Sequence, residues 1–159
     1  MSVVGLGIDL VEVEPFAAQL NATGTSFLEG TFSPAELRRA RDGHEVSSTG
    51  FARHLAARFA AKEAFVKAWS MARAGMPPAM HDVHWTDICI ESDDWGRPSI
   101  LLGGETAECV ADTLGRVSLS VSLTHEDSVA GAVVVISPAV ASPPASSSAD
   151  VASSGEAVR

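Results

Sequence analysis

Phe59-Ala60-Ala61-Lys62-Glu63-Ala64-Phe65-Val66-Lys67-Ala68-Trp69 holds strong helix formers and neither Gly nor Pro, so it reads as helix. At about 100° per residue, Leu55, Phe59, Glu63 and Val66 fall in one stripe roughly 80° wide. Opposite them runs a smooth strip of Ala57, Ala60, Ala61, Ala64 and Ala68. No face of this helix is built for water, so the sequence places it at the centre of the domain. Glu63 is then a carboxylate aimed into an apolar face, which calls for a partner or a metal. Lys67, four residues on, stands at the edge of the stripe in the favourable acid-before-base order.

Working outward, the helix is expected to run from Ala52 to Ala74 and to close at Gly75-Met76-Pro77-Pro78. Before it, Ser33-Pro34-Ala35-Glu36 has an N-cap serine, a proline at the first position and a glutamate at the third, a helix start that should carry on to Arg41. Val3 to Val13 reads as a strand with glycines near its start, followed by a short helix from Glu14-Pro15 toward Leu20. Gly43 to Gly50 is a polar loop. After the long helix, Asp87–Ser92 and Ser99–Leu102 pair as a hairpin around Asp93-Asp94-Trp95-Gly96. Glu105 to Leu114 is helical. Val117 to Leu123 alternates as a half-buried strand, Thr124 to Ser128 turns the chain, and Val129 to Ile136 returns. Two hairpins, an N-terminal strand and intervening helices make an α+β domain.

The chain has 159 residues, enough for one domain with a real core, and 46% of them are hydrophobic. Residues 1–136 are expected to form that domain, and 137–159, rich in Ser, Ala and Pro, a disordered tail. No apolar run approaches the roughly 20 residues that span a bilayer, so no membrane role is expected. The N-terminus lacks a basic segment and carries Asp9 early, unlike a signal peptide. Cys89 and Cys109 form no metal-ligand spacing, so a reduced, cytoplasmic setting is the simplest home.

The net charge of −9 hides an asymmetry. Eight of the eleven Lys and Arg residues lie between Arg38 and Arg73, against Asp42, Glu45 and Glu63, so that window is +5 and the remainder −14. A basic region on an acidic protein suits phosphates or an acidic partner, while a solvated helix face with ordinary surface arginines explains it equally well. The acidic remainder repels a long polyanion, which argues against nucleic acid.

Three places can carry chemistry. In Gly7-Ile8-Asp9-Leu10-Val11-Glu12, strand alternation turns Asp9 away from Ile8 and Leu10, and Gly5 and Gly7 allow close approach of a backbone or ligand. Glu63 with Lys62 and Lys67 is either a catalytic group or a structural ion-pair set. Ser122-Leu123-Thr124-His125-Glu126 puts a histidine in a turn, where surface histidines are common. Asp9 and Glu63, from separate elements, can share a hard cation such as Mg²⁺, which takes one or two carboxylates and leaves room for water and phosphate oxygens. Lys, Arg and His nearby would neutralise those oxygens. The residues alone thus point to Mg²⁺-dependent chemistry on a pyrophosphate, with the acceptor open.

Gly7-Ile8-Asp9-Leu10-Val11-Glu12-Val13 resembles the opening motif of holo-[acyl-carrier-protein] synthases, and Arg58-Phe59-Ala60-Ala61-Lys62-Glu63-Ala64-Phe65-Val66-Lys67-Ala68 is similar to their second signature. Asp93 to Pro98 resembles their hairpin and Ser122 to Glu126 their C-terminal motif; order and spacing also fit over residues 3–136. The resemblance implies a single 4'-phosphopantetheinyl transferase domain, antiparallel hairpins packed on a long central helix. It implies transfer of the phosphopantetheine arm of coenzyme A to a serine of an apo acyl carrier protein, releasing adenosine 3',5'-bisphosphate. Carried over, Asp9 and Glu63 hold Mg²⁺, Glu63 helps take the serine proton, and Lys67 stabilises charge at the phosphate. Arg58, Lys62 and His125 contact phosphates. One copy of each motif implies the short, homotrimeric type with sites between subunits.

Carrier proteins of this family are acidic, and Arg38, Arg39 and Arg41 are candidates to receive one. Pro15 stands before Phe16 where the family has an arginine associated with carrier docking. Thr124 replaces a common serine, and the stretches 43–50 and 74–85 have no counterpart in the family pattern. Three other readings compete: an Mg²⁺-dependent nucleotide pyrophosphate hydrolase, which needs no carrier, a non-catalytic protein that binds carrier or coenzyme A, and a purely structural trimer module. The joint presence of Asp9, Glu63 and Lys67 argues for the transferase.

Overall fold

The computed structural model describes residues 2–42, 45 and 48–139. Its elements are β1 (Gly5–Glu12), α1 (Val13–Leu20), α2 (Phe27–Thr31), α3 (Pro34–Arg41), α4 (Thr49–Ala72), a 3₁₀ turn (Trp85–Asp87), β2 (Ile88–Ser92), β3 (Pro98–Leu102), α5 (Gly104–Leu114), β4 (Val117–Glu126) and β5 (Val129–Pro138). β1, β5 and β4 form an antiparallel sheet in that order, and β2 and β3 a separate hairpin. The expected α+β architecture around a long central helix is therefore present.

Helix α4 starts three residues earlier than its apolar pattern suggests, because Ser48 caps it by accepting from the Phe51 N–H at 3.1 Å. The capping box at α3 is complete: the Ser33 hydroxyl accepts from the Glu36 N–H, and the Glu36 carboxylate accepts from the Ser33 N–H. α2 has no periodic pattern in the sequence; its Phe27 ring joins Phe16 and Phe59 at centroid distances of 5.9 and 5.7 Å. β4 and β5 each run past their expected ends. The ladder continues through Thr124↔Gly131, His125↔Ala130 and Glu126↔Val129, so only Asp127-Ser128 turns, with Asp127 at φ +33°. At the other end Ser118 pairs with Ser137 and Val117 with Pro138, so the sheet reaches into the expected tail; residues 140–159 of that tail lie outside the described residues.

The face of α4 that packs inward is the alanine strip. Ala60, Ala61, Ala64 and Ala68 are fully buried with Phe65, whereas Glu63, Phe59 and Val66 are only half-buried. The expectation that Glu63 is the carboxylate driven into the apolar interior is thus corrected: small side chains let β1 lie directly on the helix. A Cβ at Gly5 would come 2.3 Å from the Ala68 carbonyl oxygen, and one at Gly7 would overlap that of Ala64. Glycine on one element and alanine on the other bring backbone against backbone.

The acid that is buried is Glu36, and its partner is Lys62. The Lys62 ammonium donates to Glu36 Oε2 at 2.9 Å, to the Thr31 carbonyl at 2.7 Å and to the Trp85 carbonyl at 2.9 Å. Glu36 Oε1 accepts from the Ile90 N–H at 3.1 Å. Side-chain exposures are 0% and 1%, so α4, the end of α2, α3, the 3₁₀ turn and β2 meet at one dry ion pair. All three ammonium protons are committed. Lys62 is therefore a structural tie and not the phosphate contact expected of it.

Gly7→Ala should lower the unfolding free energy by at least about 2 kcal/mol through overpacking. Gly30→Ala, whose added Cβ meets nothing within 4 Å, should leave the urea midpoint nearly unmoved. Lys62→Met should cost about 3–5 kcal/mol, because Glu36 is left charged and unpaired in the interior, and adding Glu36→Gln should recover part of the loss.

Candidate active site

Asp9 reaches the site from β1, and Glu63 and Lys67 from α4. Alternation along β1 exposes Leu6, Ile8 and Leu10 and turns Asp9 toward the helix. The Lys67 ammonium donates to Asp9 Oδ1 at 2.5 Å; the lysine side chain is 52% exposed and the aspartate 15%. Lys67 is held protonated above the usual lysine range, first by that hydrogen bond. Glu63 shifts the other way from a typical surface acid. Burial pushes its carboxyl up, the Asp9 charge adds to the rise, and Lys67 opposes it.

Asp9, Glu12 and Glu63 line one open cleft of about 380 Å³, walled by Leu10, Phe16 and Phe59. Strand alternation sets Glu12 on the face of Ile8 and Leu10, so the sequence carries no signal for it; it reaches the cleft from the end of β1. Glu63, whose proton affinity is raised by burial and by the neighbouring Asp9 charge, is half of an unfinished charge arrangement that a cation would complete. Among the described residues, no three His, Cys, Asp or Glu side chains are gathered as a ready metal cage. Two hard oxygen donors beside an open cleft nevertheless fit Mg²⁺, which draws its other ligands from water and substrate phosphates.

Arg58 and His125 come together elsewhere. With Arg53, His54 and Ser92 they line a second cleft of about 370 Å³ between α4, β4 and the β2–β3 hairpin. Arg58 is 5% exposed and donates from Nη1 to the His54 carbonyl at 3.2 Å. Burial lowers its pKa; Glu36 opposes that fall and Arg39 adds to it. The Nε atoms of Arg53 and Arg58 are buried with no hydrogen-bond partner among the described residues. An anion entering this cleft would satisfy groups that protein atoms leave unmet. His54, four residues before Arg58, is the neighbour that helical spacing could have found; Arg53, five before, carries no such signal. His125 stands on strand β4 and not in a turn, which fixes its direction across the cleft.

The hairpin closing this cleft is braced by Asp93. Its Oδ1 accepts from the Trp95 and Arg97 N–H groups, both at 2.9 Å, and its Oδ2 from Arg97 Nε at 2.6 Å. Gly96, at φ +80°, supplies the left-handed turn. The acid and basic clefts are separate within one chain: Asp9 is on β1 and His125 on β4, at opposite edges of the sheet with β5 between.

The family model of the 4'-phosphopantetheinyl transferase superfamily matches residues 5–129. The holo-[acyl-carrier-protein] synthase of Mycolicibacterium smegmatis is 48% identical over 136 residues, covering 86% of this chain and 98% of its own. That of Mycobacterium tuberculosis is 48% identical over 137 residues, with the same coverage. Among solved structures, the Chronobacterium ammoniagenes ACPS–CoA complex has a TM-score of 0.77 at 38% identity, over 86% of this chain and 98% of its own. The Mycobacterium tuberculosis acyl carrier protein synthase has a TM-score of 0.65 at 40% identity, over 87% and 100%. With these motifs, this fold and this breadth of match, the chain belongs to the holo-[acyl-carrier-protein] synthases of the 4'-phosphopantetheinyl transferase superfamily.

Proposed function

We propose that this chain transfers the 4'-phosphopantetheine arm of coenzyme A to a serine of an apo acyl carrier protein, with Glu63, Lys67 and Asp9 as the reacting constellation. The observation that carries the residue assignment is the acid cleft: a raised-pKa carboxyl, a second carboxylate and a lysine converge from two rigidly packed elements. Its open volume and apolar wall suit an incoming serine on a short polypeptide turn. Mg²⁺ held by Asp9 and Glu63 would supply positive charge against the coenzyme A pyrophosphate.

In this reading Glu63, made more basic than an ordinary glutamate by burial and by Asp9, takes the proton from the serine hydroxyl. The serine oxygen forms a bond to the β-phosphorus, and the bond from that phosphorus to the bridging oxygen breaks. Adenosine 3',5'-bisphosphate leaves with the bridging oxygen and its electron pair. Lys67, oriented by Asp9, stabilises negative charge on the transferred phosphate. As in phosphoryl transfer generally, positioning and electrostatics carry the catalysis. Arg58, Arg53 and His125 hold another phosphate of coenzyme A in the basic cleft.

We place the two clefts of one working site on neighbouring subunits of a homotrimer. Each chain presents an acid cleft at one edge of its sheet and a basic cleft at the other. A head-to-tail ring would set one against the other. Leu6, Ile8 and Leu10, at 50%, 60% and 66% exposure, form an apolar row on the outer face of β1 that such an interface would cover. No helix among the described residues is long and apolar enough to cross a membrane. Cys89 and Cys109 are both free thiols, which accords with a cytoplasmic setting.

The test is intact-mass spectrometry of an apo acyl carrier protein incubated with this chain, coenzyme A and Mg²⁺. A gain of one phosphopantetheine, lost with EDTA and lost with Glu63→Gln, is the expected result. Release of adenosine 3',5'-bisphosphate without carrier would instead favour a hydrolase.

The same variant separates catalysis from stability. Glu63 has a higher pKa in the fold than in the unfolded chain, so the fold holds that proton more tightly. The associated stability is fully present below the ordinary glutamate range and is lost as pH rises through the raised folded value. In EDTA, Glu63→Gln should therefore be at least as stable as the parent near neutrality, with the difference closing in acid, as read by thermal midpoints across pH.

A further inference from the structure

We infer that the exposed face of α3, carrying Arg38, Arg39 and Arg41, is the docking surface for the acidic carrier protein, in place of α1. This rests on the transferase reading above and adds the place where the partner binds.

The first observation is where cations are absent. α1 is Val13-Glu14-Pro15-Phe16-Ala17-Ala18-Gln19-Leu20, with one acid and no lysine or arginine. α2 adds Glu29 and no cation. Around the acid cleft the charged lining residues are Asp9, Glu12 and Glu63, and the one cation beside them, Lys67, is already paired to Asp9. On a chain of net charge −9, this side repels an acidic helix.

The second observation is where cations are free. Arg38, Arg39 and Arg41 are exposed, and among the described residues none of them forms an ion pair. Arginines in a last helical turn complement the carbonyl end of the dipole. That explains their place in the helix and leaves their outward charge open to a partner. Asp42 and Glu91 are the acids nearby; both are exposed, and Glu91 shares a small hollow with Arg39.

The third observation is continuity with the site. The hollow beside Arg39 is lined by Glu36, Ile90, Glu91 and Ser92, and Ser92 also lines the basic cleft with Arg53 and Arg58. Through Ser92 the Arg39 hollow adjoins the cleft that holds Arg53 and Arg58, so α3 lies next to the place proposed for a coenzyme A phosphate. A partner lying along it stands beside the donor substrate.

The fourth is rigidity. α3 is fixed by its capping box and by the buried Glu36–Lys62 pair, and Leu37 and Ala40 seat its inner face in the core. The three arginines project from a helix whose first turn is capped and whose inner face is buried, so docking on it needs little backbone ordering.

The experiment compares the parent, the Arg38→Glu/Arg39→Glu/Arg41→Glu variant and the triple Arg→Lys variant, each checked for folding by circular dichroism and thermal midpoint. All three are substitutions on solvent-facing positions and should fold. Steady-state transfer is followed with an acidic apo carrier at several salt concentrations. The charge-reversed variant should raise the KM for carrier by about 10-fold or more, with kcat at saturating carrier and the KM for coenzyme A within about two-fold of the parent. Its kcat/KM should lose most of its dependence on salt, and the Arg→Lys variant should stay near the parent. A carrier KM and salt slope unchanged in the charge-reversed variant, with the parent active, overturn the docking surface alone. Loss of heparin binding with carrier kinetics intact does the same and points to a polyanion. If the parent modifies no carrier at all, the transferase reading falls, and the docking surface with it.

Discussion

The contact between the glycines of β1 and the alanines of α4 governs where everything else stands. Gly5 and Gly7 lie so close to the Ala68 and Ala64 carbonyls that a single methyl group would not fit. That closeness fixes β1 along the helix axis, and β5 and β4 follow by hydrogen-bonded register. Asp9, two residues past Gly7, is thereby delivered to Lys67, one turn past Glu63. Asp9, Glu63 and Lys67 owe their placement to two backbones in contact.

A second constraint works from the other flank of α4. Lys62 and Glu36 replace what would be an apolar junction with a fully hydrogen-bonded ion pair. Such a pair contributes little net stability compared with well-packed hydrophobic residues, but it is strict about geometry. Five elements must bring their donors and acceptors to one point. Neighbouring positions on the helix thus have opposite assignments: Lys62 serves the fold, and Glu63 faces the cleft. One residue of separation, about 100° of helix, divides structure from chemistry.

Much of this was legible in the sequence, because the signals were local. The capping box at Ser33–Glu36, the alternation of Val117 to Leu123 and the glycine-punctuated hairpin at Asp93–Gly96 depend on residues within a few positions of one another. The errors involve distance in sequence. Glu36 and Lys62 are 26 residues apart, so nothing local marks either as buried. The alanine strip carries little hydropathy, so the stripe of larger side chains looked like the inner face, until β1's glycines are seen to fill the space. Thr124, His125 and Glu126 read as a turn because they are polar, yet β4 is an edge strand whose outer positions tolerate polarity. Asp9, Glu63 and Lys67 converge as their motifs imply, whereas Arg58 and His125 belong to a separate cleft.

The glycine–alanine seam also bears on how this protein can be controlled. A helix seated by long side chains can roll a few degrees as rotamers adjust, and that roll can carry a signal. α4 has no such slack toward β1, where the nearest obstacle is a carbonyl oxygen. Turning the helix would drive peptide groups into one another, so its axis behaves as a locked shaft. Signals that reach this protein must act on what enters the two clefts, and not by rolling α4 against β1.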